Sequence, residues 1–165
     1  MIQGHIKLPD SINLESLEWK DCVQCYQQTQ ETEKYYNNNN SIIWQMFDES
    51  PQWAYDIAKL IPQGFEDFVV SVTRIDPGQT VPWHQDKHYI VQKKFGPGET
   101  LRYLIFLEDW KTGHYFQMHN EPLVKWTAGD YITIKRQDWH LGGNMGLQPF
   151  YSVQVTVLTI DKSLE

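Results

Sequence analysis

Three residues in this sequence have the types and the spacing to hold a metal ion. His84 and Asp86 stand two apart in VPWHQDKH, and His140 follows Asp86 by 54 residues in RQDWHLGGN. On an extended strand, side chains two apart project from the same face, so His84 and Asp86 can face one ion together. Two imidazoles and one carboxylate on one side of a divalent metal leave three octahedral positions open, which is the donor set of non-haem Fe(II) oxygenases. Zinc accepts the same donors, but hydrolytic zinc sites usually take both histidines from a helical HExxH, which this chain lacks. An isolated HxD arises readily by accident, and a lone His84 reads as a surface or capping residue. Context sets this one apart. It follows a β-rich run and the turn DPGQ, and His140 follows another β-rich run that begins after a GD turn, with room for four short strands between the two.

The elements that must position these residues are short and β-rich. After Gly64 come FVVSVTRI, LRYLIFL, HYFQM, PLVKW, YITIKR and FYSVQVTVLTI, divided by GPGE, KTG and AGD. Such runs predict an antiparallel sandwich or closed barrel. The N-terminal portion reads differently. From Asn13 to about Tyr36 the apolar residues Leu14, Leu17, Trp19 or Cys22, and Cys25 or Tyr26 recur at helical spacing, and the run Asn37 to Asn40 ends the pattern. A second helix fits Pro51 to Leu60, with Ser50 as cap, Pro51 in the first turn, and Trp53, Ala54, Ile57 and Leu60 on one face; Pro62, Gln63 and Gly64 stop it. The expectation is one domain over 1–165, with a helical cover over 1–66 and a β core over 67–161.

At 165 residues, 41% hydrophobic, with 7 Trp, 9 Tyr and 7 Phe, the chain can bury a core, which excludes wholesale disorder. Its 21 acidic residues outnumber 14 basic ones for a formal charge of −7, and the whole excess lies in residues 1–70. Residues 71–165 hold 10 acids and 10 bases. A sequence-independent grip on nucleic acid needs a basic face, so no nucleic-acid partner is expected. No apolar run approaches a membrane span, and the start MIQGHIKLPD lacks the basic and apolar pattern of a signal peptide; the expectation is a cytoplasmic protein without a membrane partner. Cys22 and Cys25 form a single CxxC with no second pair, and read as reduced thiols.

The runs VTRIDPGQTVPWHQD, RYLIFLEDWKTGH, GDYITIKRQDWHLGGN and PFYSVQVT together resemble the Fe(II)/2-oxoglutarate-dependent dioxygenases. The resemblance is nearest to the prolyl-4-hydroxylase-like branch and to small members found in bacteria and their viruses, which extends the expected location to the cytoplasm of a virus-infected bacterial cell. It covers about residues 68–160 and leaves the N-terminal portion unmatched. It implies a mainly β, double-stranded β-helix (jelly-roll) fold with N-terminal covering helices. His84, Asp86 and His140 would be the iron ligands and catalytic residues, and 2-oxoglutarate and O2 the cosubstrates.

One position departs from the family pattern. A basic residue commonly holds the distal carboxylate of 2-oxoglutarate about ten residues past the last histidine, with Ser or Thr two positions on. Here that stretch reads Phe150, Tyr151, Ser152. A buried carboxylate without a countercharge costs several kcal/mol. One resolution moves the cation to Arg102, which shares a strand face with Leu104 and Phe106; the bland alternative has Arg102 reaching water or pairing with Glu99. Arg74 and Arg136 are weaker candidates. Ser152 stays on the cosubstrate side, and Asn144, four past His140, is a candidate for a hydrogen bond at the site, as Asn often is in the resembling sequences. Trp83 and Trp139 each precede a ligand histidine and are assigned to core or pocket wall. His88 reads as a loop histidine with a substrate contact open to it, while His114 and His119 read as structural or solvent-facing. Gly142, Gly143 and Gly146 permit a tight backbone path.

The function these readings imply is a hydroxylase acting on a C–H bond of a protein residue, such as proline, or of a small molecule. The alternative is a non-catalytic or 2-oxoglutarate-independent, cupin-like metal-binding barrel in which Phe150 closes the cosubstrate pocket.

Overall fold

Hydrophobic alternation along the chain builds two facing sheets. The structure is a computed structural model that describes residues 1–21, 43–46, 49–61 and 67–159. Its strands are β1 (Gly4–His5), β2 (Lys20–Asp21), β3 (Ile43–Met46), β4 (Phe68–Ile75), β5 (Gln79–His84), β6 (Glu99–Phe106), β7 (His114–Met118), β8 (Glu121–Leu123), β9 (Asp130–Lys135), β10 (His140–Asn144) and β11 (Phe150–Thr159). Its helices are α1 (Gln52–Lys59) and α2 (Tyr89–Phe95). A seven-stranded sheet runs β1-β9-β6-β11-β4-β3-β2 and a four-stranded sheet runs β5-β10-β7-β8, antiparallel throughout. From β4 to β11 the chain passes large, small, large, small, small, large, small, large. That crossing pattern is a double-stranded β-helix, as the sequence leads one to expect.

The two faces of the large sheet do different work. On β11, Val153, Val155 and Val157 face outward and join Val70, Val72, Tyr103 and Ile105 under Trp53, Ala54 and Ile57 of α1. The alternate residues Phe150, Ser152 and Gln154 face the space between the sheets, with Arg102 and Leu104 of β6 and Thr73 and Ile75 of β4. Phe106, Phe116, Trp126, Ile132 and Ile134 complete the inner apolar cluster.

The N-terminal portion departs from a purely helical cover. Asn13 caps a single turn, accepting from the backbone N–H of Glu15 and of Ser16 at 3.2 Å each, and the chain then extends into β2, which pairs with β3. Leu14, Leu17 and Trp19 pack on the outer core as expected, but from a turn and extended chain instead of a helix. Residues 22–36 of the expected helix, the Cys22 and Cys25 pair, the Asn run and the segment from Pro62 to Gly64 lie outside the described residues. The second helix forms where expected. Its N-cap is Pro51, however, because Ser50 Oγ donates to Val70 O at 2.9 Å, and Leu60 lies exposed beyond its end.

Candidate metal centre

The antiparallel pairing of β5 and β10 sets His84 opposite His140, at the end of the small sheet where one strand finishes and the other begins. Asp86 lies in the loop just past β5, so the HxD straddles the strand end. Gln85 ties this loop to its neighbour by donating from Nε2 to Gln137 O at 2.7 Å. Asp138 shapes the turn before His140, accepting from Lys135 N at 2.7 Å.

The three side chains converge. Asp86 Oδ1 is 3.6 Å from His84 Nε2 and Oδ2 is 3.3 Å from His140 Nε2, and the three ligand atoms lie within 4.8 Å of one another. Both rings are fixed from behind. His84 Nδ1 donates to Pro82 O at 2.7 Å and His140 Nδ1 to Asp138 O at 3.0 Å. A carbonyl can only accept, so each Nδ1 carries a proton and each Nε2 faces the carboxylate, the tautomer a metal ligand requires. Burial alone would raise the Asp86 carboxyl. The Arg102 guanidinium, 2.6 Å from Oδ2, with His140 and His84 alongside, outweighs it and holds Asp86 well below the usual carboxylate range. Two imidazole nitrogens and an ionised carboxylate, each ring braced by a carbonyl, fit a first-row divalent cation.

Arg102 lines the cavity beside this group. Its Nη1 donates to Asp86 Oδ2 at 2.6 Å and its Nε to Thr156 Oγ1 at 3.0 Å, across the β6–β11 register that pairs the two residues. It pairs with Asp86 in place of Glu99, and among the described residues it is the one Lys or Arg lining the cavity. The cavity measures about 60 Å³. A single water needs about 10–15 Å³ by the same measure, so a small ligand has room. Ser152 faces it, with its hydroxyl 2.5 Å from Thr73 Oγ1. Gln154, which the sequence did not single out, also faces it. Phe150 forms the floor, stacked on His114 at 5.0 Å, Trp126 at 5.1 Å and Phe106 at 6.0 Å between ring centres.

Other candidates fall elsewhere. Asn144 is a correction: it lies at the far end of β10 from His140, where Nδ2 donates to Ile75 O and Gln148 O and Oδ1 accepts from Gly146 N, so it braces backbone away from the ligands. Arg74 pairs with Asp76 at 2.7 Å and lies over the Trp19 ring, on the outer side of the large sheet. Arg136 does not line the cavity. Trp83 and Trp139, assigned to core or pocket wall, join neither: they face solvent at 37% and 47% exposure and do not line the cavity. His114 is buried in the floor stack, and His119 is exposed beside Asp138.

No protein-family model and no curated protein sequence matches the chain. Solved structures do resemble it. The cupin domain of Schizosaccharomyces pombe Cnp3 is 9% identical over 71% of this chain and 61% of that one, with a TM-score of 0.46. A predicted oxalate decarboxylase from Thermotoga maritima is 16% identical over 72% of this chain and 83% of that one, with a TM-score of 0.44. A Klebsiella pneumoniae protein with a double-stranded β-helix domain is 21% identical over 59% of this chain and 72% of that one, with a TM-score of 0.40. The strand order carries the fold assignment by itself, and the chain is a double-stranded β-helix with a His-Asp-His group at one end of its small sheet.

Proposed function

We propose that this chain is an Fe(II)- and 2-oxoglutarate-dependent dioxygenase that hydroxylates a C–H bond of a protein residue, proline among them, or of a small molecule. The observation that carries this reading is the convergence of His84, Asp86 and His140 within 4.8 Å, beside a cavity whose one Lys or Arg, among the described residues, is Arg102. His84 and His140 would offer Nε2 to the metal and Asp86 one carboxylate oxygen. Bound iron with 2-oxoglutarate supplies the oxidation, in which the keto acid is converted to succinate and CO2 and one oxygen atom of O2 enters the C–H bond.

The chain's own residues hold and orient. The carbonyls of Pro82 and Asp138 fix the ligand rings, and Arg102 holds Asp86 Oδ2, which leaves Oδ1 for an ion. Arg102 Nη2 has no hydrogen bond to the described residues, and with the Gln154 amide and the Ser152 hydroxyl it can receive an acid's carboxylate. Phe116, Ile134 and Phe150 keep water from the floor.

Anaerobic Fe(II) protein given 2-oxoglutarate should develop the charge-transfer absorption in the green that marks keto-acid chelation, and with O2 it should form succinate. Alanine at His84, Asp86 or His140 should abolish both. Succinate formation that survives in those variants would overturn the reading.

A second reading has one observation in its favour. Phe150 stands where the resembling family carries its cation, locked in an aromatic stack. A metal-binding barrel that takes no keto acid would bind Fe(II) and give no such absorption.

A further inference from the structure

His88 takes no part in the proposed chemistry, yet its setting is costly to maintain. It caps α2 with a backbone φ of 47°, in the left-handed region that side chains other than glycine rarely adopt. Its side chain is wholly buried. The ring uses one nitrogen, with Nδ1 2.9 Å from Thr100 Oγ1. Nε2 is buried with no hydrogen-bond partner among the described residues, and it lies 3.9 Å from Asp86 Oδ2. A buried nitrogen without a partner forfeits its solvation for nothing, and strain kept at one residue gathers where function demands it.

We infer that His88 is a positioning residue for Asp86, whose Nε2–H closes onto Oδ2 when a metal ion draws the carboxylate's other oxygen, so that Asp86 meets the ion through Oδ1 alone. The inference rests on the metal reading of His84, Asp86 and His140. Asp86 Oδ2 already accepts from Arg102 Nη1 at 2.6 Å and keeps a second lone pair. The 3.9 Å gap must close by about 1 Å to reach ordinary N–H···O distance. The Thr100 hydroxyl is assigned as donor to Nδ1, 2.9 Å away, which leaves the ring proton on Nε2. His88 is not a further ligand as it stands, since it lies outside the group whose atoms share a 4.8 Å sphere of approach. Two donors on Oδ2 would keep the carboxylate from turning bidentate, and a metal position would stay open for substrate or cosubstrate.

Co(II) binding to the full chain, followed by visible absorption and calorimetry, tests this with His88→Asn and His88→Gln. Asparagine carries its amide where Nδ1 lies, tolerates the left-handed backbone and has nothing at Nε2; glutamine carries its amide at Nε2. The expected result is glutamine within about threefold of the parent and asparagine about 10- to 100-fold weaker, with the metal-free asparagine variant melting no lower than the glutamine one. Asparagine that binds like the parent, or equal losses in both, would overturn the inference. Ring ¹⁵N shifts of the Zn(II)-loaded parent should place the His88 proton on Nε2, and a proton on Nδ1 overturns it too. A parent that takes up no Co(II) removes the metal centre itself, a separate failure visible before any variant is compared.

Discussion

Arg102 donates to Asp86 at 2.6 Å, so the one Lys or Arg that lines the cavity among the described residues is held by the carboxylate of the candidate metal centre. Both side chains are nearly buried, at 12% and 14% exposure. Removing one partner of such a pair strands the other's charge and costs about 3–5 kcal/mol. Arg102→Met should therefore lower the urea midpoint of the metal-free protein by a corresponding amount. A divalent ion at His84, Asp86 and His140 supplies the missing charge, so Co(II) should restore much of the loss. A variant that Co(II) leaves as unstable as before would mean that the ion does not meet Asp86.

Asn144 braces backbone and should behave so. Its side chain closes three hydrogen bonds, to Ile75 O, Gln148 O and Gly146 N, at full burial. Asn144→Leu leaves those groups unsatisfied, and each costs about 1–3 kcal/mol. A large loss of stability is expected, with Co(II) affinity unchanged in the fraction that stays folded at low temperature. A matching fall in metal affinity would return Asn144 to the site.

The convergence of His84, Asp86 and His140 was legible because its signals are local: HxD spacing, a turn before each histidine, and period-two runs that had to be strands. Arg102 was legible as a cation in an apolar strand, but its partner was not, since Thr156 and Asp86 reach it only through register and loop closure. Asn144 was misplaced for a geometric reason. Four residues along a strand at roughly 3.3 Å each carry a side chain about 13 Å from His140. The helix α2 left no cap signal, because its N-cap is His88 in a left-handed conformation with no side-chain cap bond. That same backbone brings the His88 ring to Asp86, and no spacing rule finds it. At the N-terminus, Leu14, Leu17 and Trp19 do face the core, and the Asn13 turn outcompetes the helix that their spacing suggests.

His114 should make the fold sensitive to mild acid. Burial in the floor stack pushes its ring below the usual histidine range, against the raising effect of its bond to Gln148 O. A depressed folded value means that the unfolded chain binds the proton more readily, so stability from this group is present above about pH 6.5. It is lost progressively as pH falls from there toward the folded value. His114→Phe keeps a ring in the stack and removes the titration. Urea midpoints between pH 8 and 5 should therefore fall more steeply for the parent than for the variant. Equal slopes would mean that His114 protonates in place.

Phe150 tests where a cosubstrate acid sits without touching the metal. Its ring is 4% exposed and stacks on Phe106, Trp126 and His114, so Phe150→Ala should cost about 3–5 kcal/mol through the cavity it opens, and Phe150→Leu much less. If a cosubstrate acid is held at Arg102, the floor contributes apolar contact only. Phe150→Leu should then leave 2-oxoglutarate affinity within a few-fold of the parent, while Arg102→Met, assayed with Fe(II) bound, should lose it by at least tenfold. Calorimetry on the two variants gives opposite orders under the two placements of the acid. A loss confined to Phe150→Leu would put the acid against the floor, where among the described lining residues no Lys or Arg meets it. Arg102 would then serve Asp86 alone, as the countercharge that keeps a metal-binding carboxylate ionised inside the barrel.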